Sequence, residues 1–245
     1  MKEALSILAI ALAAASQAHA QTPSRGGPPE AGYGYINFGA AFIADAELGL
    51  EESRFGFPGP VTDDVSFSTG YTAGGALGIY IPETPLAIEG EVFFIGGADL
   101  KEADVFADVA AAAGAFFADT ATIGAPTVAS FLNLVADREL LRGARAYAAA
   151  GVGYGRTQYI LDGGGFVSQA LNDSTSNAFA YQIKFGVDAP VANWENGAST
   201  TIGVGYRFFS MPKNTLNFSV GGVGEGKYTY DYRVSVVEMR LKSTF

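Results

Sequence analysis

The chain has 245 residues, 49% hydrophobic and 16% charged, a balance that fits a folded protein and excludes a disordered one. Its 15 basic and 25 acidic residues give a formal charge of −10, which argues against nucleic acid as a partner. Without cysteine there is no disulfide scaffold, Cys-ligated zinc or thiol chemistry, and 32 glycines without a triplet repeat exclude a collagen-like chain.

Residues 1–20 read as a cleaved signal peptide: Lys2 in a basic n-region, an apolar Ala4–Ala15 run, and Ala18-His19-Ala20 as a small-x-small cleavage site. The only histidine, His19, leaves with that peptide. Ser-His-Asp triads, Cys-His pairs and His-ligated metals are therefore excluded from the exported chain, while carboxylate-pair catalysis survives the test. Residues 21–30, with Pro23, Pro28 and Pro29, form a flexible lead-in, and 31–245 hold one domain.

Eight segments then alternate with period two, as strands do. They are Gly32–Ile43, Ser66–Ile81, Leu86–Ile95, Thr127–Ala136, Ala144–Tyr159, Phe179–Asp188, Ser199–Phe209 and Tyr230–Phe245. The connections alternate in length: 82–85, 137–143 and 189–198 are short, whereas 44–65, 96–126, 160–178 and 210–229 are long. Short turns at one end and long loops at the other predict an all-β, eight-stranded antiparallel up-and-down barrel. The alanine-rich stretch Ala103–Phe117 tolerates a short helix within the second long loop.

A soluble ligand-binding barrel and a membrane barrel share this alternation and differ in which face is apolar. One face carries Phe, Tyr, Ile, Val and Leu. The other is mostly Gly, Ala and Ser, with Glu89, Glu91, Arg145, Lys184, Asp188, Arg207, Glu238 and Arg240. A narrow eight-stranded interior is filled by small residues and a few paired long ones, so the bulky face is expected to meet lipid. Those charges are then an interior salt-bridge network joining Glu89 and Glu91 to Lys184, Arg145 and Arg207, since buried charges must be paired. The other reading of Glu89 and Glu91, a catalytic carboxylate pair, is the weaker one.

The strand Arg145-Ala-Tyr147 through Gly151-Val-Gly153-Tyr154, the run Phe179-Ala-Tyr181-Gln182 with Gly186, Gly205-Tyr206-Arg207-Phe208-Phe209, inward Asn133 and a last strand ending in Phe245 carry a resemblance. Together they resemble the porin-opacity type of eight-stranded outer-membrane protein, similar in architecture to the barrel domain of outer-membrane protein A. The resemblance implies a bacterial outer-membrane location, with membrane lipid and lipopolysaccharide as surroundings. It also implies that Phe245 is the signal read by the barrel-assembly machinery. It says little about individual function.

Other motifs point to no chemistry. Gly221-Gly-Val-Gly-Glu-Gly226-Lys227 falls short of a phosphate-binding loop because Tyr228 stands where Ser or Thr must meet magnesium; a mobile glycine-rich surface loop is expected instead. Acidic residues of the first two long loops, from Asp45 and Glu47 to Asp99, Glu102 and Asp108, read as solvated surface without EF-hand spacing, open to an extracellular ligand. Phe55-Gly-Phe57-Pro58 and Phe116-Phe117 are candidate loop tips. The expectation is a non-enzymatic protein with a structural or adhesion-like surface role, no catalytic residue, cofactor or metal, and a closed lumen. A small diffusion pore or transporter is the first alternative, and a membrane lipid hydrolase the second.

Overall fold

A computed structural model describes residues 32–53, 62–101, 122–140, 144–162, 174–193, 198–220 and 224–245. The signal peptide and lead-in, Ala103–Phe117, both phenylalanine loop tips and residues 221–223 lie outside them.

In chain order the strands are β1 (Gly32–Ile43), β2 (Ala46–Ser53), β3 (Thr62–Phe67), β4 (Gly70–Tyr80), β5 (Leu86–Gly96), β6 (Asp99–Lys101) and β7 (Thr122–Gly124). They continue with β8 (Thr127–Glu139), β9 (Arg145–Gln158), β10 (Ile160–Asp162), β11 (Thr175–Asn193), β12 (Ser199–Val220) and β13 (Gly224–Thr244). Eight of them form the wall in the order β1-β4-β5-β8-β9-β11-β12-β13, every neighbour antiparallel, and β1 pairs back onto β13. Closure removes both sheet edges, the condition for placing strands in hydrocarbon.

The turn between β4 and β5 shows how the short end is made. Pro82 sets the first corner, Glu83 takes φ 62°, and Thr84 Oγ1 donates to the Ile81 carbonyl at 2.9 Å. At the other end the wall runs on past the barrel. The strand path from β1 to β2 breaks at Ala44–Asp45, where Ala44 N–H still donates to the Arg233 carbonyl at 2.9 Å, and β2 rejoins β13 at Gly49↔Thr229. From β13 the extension continues through β2, β3, β6, β7 and β10.

The eight predicted segments are the eight wall strands, but all four long connections are partly strand, with β6 and β7 inside 96–126. Within 44–65 lie β2 and the start of β3, and 160–178 contains β10 and the start of β11. Residues 210–229 are mostly the far end of the β12–β13 hairpin, so Gly224–Lys227 is strand rather than mobile loop. Glycine and polar residues hide strand there, because above a membrane neither face must be apolar. The second segment is also interrupted at Ser68–Thr69, where β3 ends and β4 begins.

A closed wall of this kind resists detergent. The refolded protein is expected to migrate differently in boiled and unboiled gel samples. Identical migration would contradict the closed barrel.

Candidate functional site in the barrel lumen

Strand alternation sets each side chain's environment, and adjacent residues on β11 show how sharply: Ile183 is 53% exposed and Lys184 is 1% exposed. Exposed Phe38, Leu77, Ile88, Leu132, Phe185 and Val204 belong to an apolar belt around the outside, while polar and charged side chains are buried inside. That polarity is inverted relative to a protein dissolved in water and matches a barrel dissolved in lipid.

The interior is stacked in tiers. In the middle, Lys184 Nζ lies 2.7 Å from Glu89 Oε1 and 2.9 Å from Glu91 Oε2, and it donates to Tyr35 Oη at 2.7 Å. Arg207 reaches Glu91 Oε1 at 2.5 Å and Glu238 Oε2 at 2.8 Å, and its Nη1 donates to Gln182 Oε1 at 3.0 Å. Amides fill further acceptor positions. Asn133 Nδ2 donates to Glu89 at 2.7 Å and Glu91 at 2.9 Å, Gln182 Nε2 to Glu91 at 2.7 Å, and Asn37 Nδ2 to Glu238 at 2.8 Å. Tyr33 adds a donor to Glu89 at 2.8 Å.

Toward the short-turn end, Arg240 forms a two-pronged pair with Asp188 and stacks its guanidinium 3.3 Å from the Tyr147 ring centroid. At the mouth, Asp137 accepts from Arg145 at 2.8 Å, from Lys242 at 2.7 Å and from Tyr80 at 2.7 Å. Tyr33 and Tyr35 link the tiers: Lys242 Nζ lies 4.3 Å from the Tyr33 ring centroid, and Lys184 Nζ lies 5.3 Å from that of Tyr35. Five acids (Glu89, Glu91, Asp137, Asp188, Glu238) face five bases (Arg145, Lys184, Arg207, Arg240, Lys242), and each is in an ion pair.

Toward the long-loop end the lumen turns apolar. Phe93, Phe131 and Phe209 form a triangle with ring centroids 5.2 to 6.0 Å apart, and the Arg207 guanidinium lies 4.6 Å from the Phe93 ring centroid. Ile95, Met211 and Tyr232 are buried with this cluster. Beyond them Tyr159 and Tyr230 share a 2.6 Å hydroxyl contact, and Asn214 Nδ2 donates to both, at 2.9 and 3.1 Å.

The structure places Glu89, Glu91, Arg145, Lys184, Arg207, Glu238 and Arg240 all inside, but not in one cluster. Arg145 belongs with Asp137 at the mouth, away from Glu89 and Glu91, and Arg240 belongs with Asp188 rather than with Glu238. The expectation that bulky side chains overfill the interior also needs correction. Tyr33, Tyr35, Phe93, Phe131, Tyr147 and Phe209 are buried inside, and glycine makes the room. Tyr147, Gly186 and Gly205 lie in one cross-strand row, and a Cβ on Gly186 would stand 2.6 Å from the Tyr147 hydroxyl. Asp137 was missed because the fourth predicted segment stops at Ala136, one residue short of it; the inward parity of Asn133 and Val135 would have found it.

No family model matches the sequence, and no curated protein matches it either. Among solved structures the chain is similar to the outer membrane protein AlkL, determined by solid-state NMR in DMPC bilayers. That match has 16% identity and a TM-score of 0.51, covering 90% of this chain and 95% of AlkL. It also matches OprG of Pseudomonas aeruginosa at 15% identity and TM-score 0.46, covering 87% of this chain and 96% of OprG. Neisserial surface protein A matches at 14% and 0.41, with 84% and 95% covered. At such identities the likeness is one of fold, and the inverted polarity of the wall agrees with it. In fold, the chain is a small eight-stranded β-barrel of the outer-membrane type.

Proposed function

We propose that this protein is a non-enzymatic barrel of the bacterial outer membrane. Its wall anchors it in lipid, and its extended long-loop end makes contacts outside, in a structural or adhesion-like role. The observation that carries this reading is the filled lumen: a solute on the barrel axis would meet the phenylalanine triangle, then the central ion pairs, then the Asp137 group. Glu89 and Glu91 face the same obstacle as a catalytic pair, since both are at most 2% exposed and their oxygens are occupied by Lys184, Asn133 and tyrosine donors.

Membrane lipid and lipopolysaccharide are the proposed surroundings, and exposed Asp45 and Glu47 near the rim leave the long-loop end open to an extracellular ligand. Phe245 is proposed as the signal for the barrel-assembly machinery. Its N–H donates to the Gly32 carbonyl at 3.0 Å, and its ring occupies the place a side chain at Gly32 would take, so the last residue seals the β1–β13 seam.

Planar-bilayer recording tests the closed lumen. The expected result is no stable conductance from the purified protein. A persistent open channel would overturn it in favour of a diffusion pore.

A further inference from the structure

One seam of the wall differs from the others. β11 and β12 pair from Asn193↔Ser199 as far as Tyr181↔Ser210, and there the ladder ends, although β11 runs on to Thr175 and β12 to Val220. The seams on either side keep their ladders further toward the long-loop end: β9 pairs with β11 up to Gln158↔Thr175, and β12 pairs with β13 up to Val220↔Gly224. Where other wall strands break near the rim, pairing resumes beyond, as in β2 with β13, β3 with β6 and β7 with β10. Among the described residues no ladder resumes between β11 and β12.

The local sequence accounts for the break. Pro212 has no N–H to offer a neighbouring strand, Lys213 takes φ 60°, and the β12–β13 register slips between Met211 and Asn214. A bulge bends its strand, and this one takes β12 out of the β11 ladder. In place of backbone carbonyls, the Thr215 N–H donates to Ser176 Oγ at 2.9 Å and the Asn217 N–H to Ser174 Oγ at 3.2 Å. Both serines are buried, and Ala178 and Ala180 continue their face of β11 toward the ladder. Outside, Phe179 and Tyr181 are exposed beside the seam, so it begins within the apolar belt and passes Asn177 and Lys213 at its edge. On the inner side Met211 and Asn214 are fully buried. Unladdered strand is costly at the level of hydrocarbon, which makes this break the exception in the wall.

We propose that β11 and β12 form a lateral gate: beyond Tyr181↔Ser210 they part and rejoin as a local motion, giving the outer leaflet access to Met211 and Asn214. Two side-chain bonds hold this stretch, where a continued ladder would supply backbone bonds along its length, so it opens at lower cost than the laddered seams beside it. Gln182, Lys184 and Arg207 of the central tier lie on the laddered part of the same two strands, at Gln182↔Phe209 and Lys184↔Arg207. The gate therefore opens sideways and leaves the charged lumen shut. It rests on the outer-membrane reading of the wall for its meaning, but the parting of the strands is measured in the barrel itself, so the two fail separately.

Spin-label distances measured by electron paramagnetic resonance in lipid nanodiscs test this. The chain has no cysteine, so Asn177→Cys/Lys213→Cys puts two labels on exposed positions across the seam. Arg156→Cys/Asn177→Cys spans the laddered β9–β11 seam as the control. Two distance populations are expected across β11–β12 and one across β9–β11. Adding Ser176→Ala is expected to raise the ratio of the longer to the shorter population about fivefold, the factor that one net hydrogen bond carries. If that variant fails to fold, Ser174→Ala, which frees the Asn217 N–H instead, decides. A single narrow population across β11–β12, the same spread across both seams, or a ratio unmoved by the serine variant would overturn the gate in favour of a fixed irregularity in the wall.

Discussion

Arg207→Met is expected to destabilise the folded barrel by about 3–5 kcal/mol, the cost of breaking a buried ion pair by removing one partner. The guanidinium is fully buried, spans Glu91 and Glu238 and donates to Gln182, so its loss reaches three acceptors on three strands. Glu91 would keep Lys184, but Glu238 would retain only the Asn37 amide among the described residues. Methionine fills similar volume, so the loss reports electrostatics rather than a cavity. Arg207→Lys should recover part of it, because an ammonium carries the charge but cannot fork between two carboxylates. The measurement is urea unfolding in detergent micelles, with Arg207→Met/Glu238→Gln as the coupled control. That double variant is expected to be more stable than Arg207→Met, since it also removes the stranded charge. A single-variant loss below about 1 kcal/mol would mean that the tier is hydrated and screened, as surface pairs are. The closed-lumen reading would then fail with it.

Facing was the most legible property in the sequence, and for a physical reason. In a membrane barrel the two faces of a strand meet opposite solvents, so the run Phe179 to Asp188 states its orientation residue by residue. Pairing between charges was less legible. Arg145 and Glu91 share the inward face, yet which acid a base meets depends on height along the axis, and height follows from register across strands distant in sequence. The Asp137↔Tyr147 and Asp188↔Arg145 register places Arg145 at the mouth, and no local pattern announces it. The inward aromatics were less legible, because the volume of one position says nothing of the space left across the strand from it. Tyr33 fits because Gly78 lies across from it, and Tyr147 because Gly186 and Gly205 do. Those glycines read as small filler until the strands are laid side by side. Strand beyond the rim was hidden for the opposite reason, since there the outward face meets water and the buried inner face carries polar residues such as Asn214 and Ser176, so alternation in polarity is weak.

Ile183→Lys is expected to cost about 2–4 kcal/mol in lipid vesicles, the price of a cation near the bilayer midplane. The site separates two barrels that share one fold. Were the wall in water, an exposed isoleucine replaced by lysine would change stability by no more than about 0.5 kcal/mol. Ile183 is the central outward residue of the Phe179–Val187 stretch, its cross-strand partners are Ala150 and Phe208, and Ala150 is exposed as it is. Asn177, six residues earlier on β11 and also outward, lies where the belt gives way to Arg156 and is the depth control. Asn177→Lys is expected to cost only about 0–1 kcal/mol, because a lysine at the interface keeps its ammonium in water. Both are read by urea unfolding from the same vesicles, so the difference cancels changes common to any added charge. A steep difference follows only if the apolar belt is immersed. Equal, small effects at both positions would return the barrel to water and leave the exposed aromatics without a solvent to explain them. The same lysine one residue further along, at 184, is native and buried among carboxylates. The depth series therefore tests the membrane, while Arg207 tests what the membrane wall encloses.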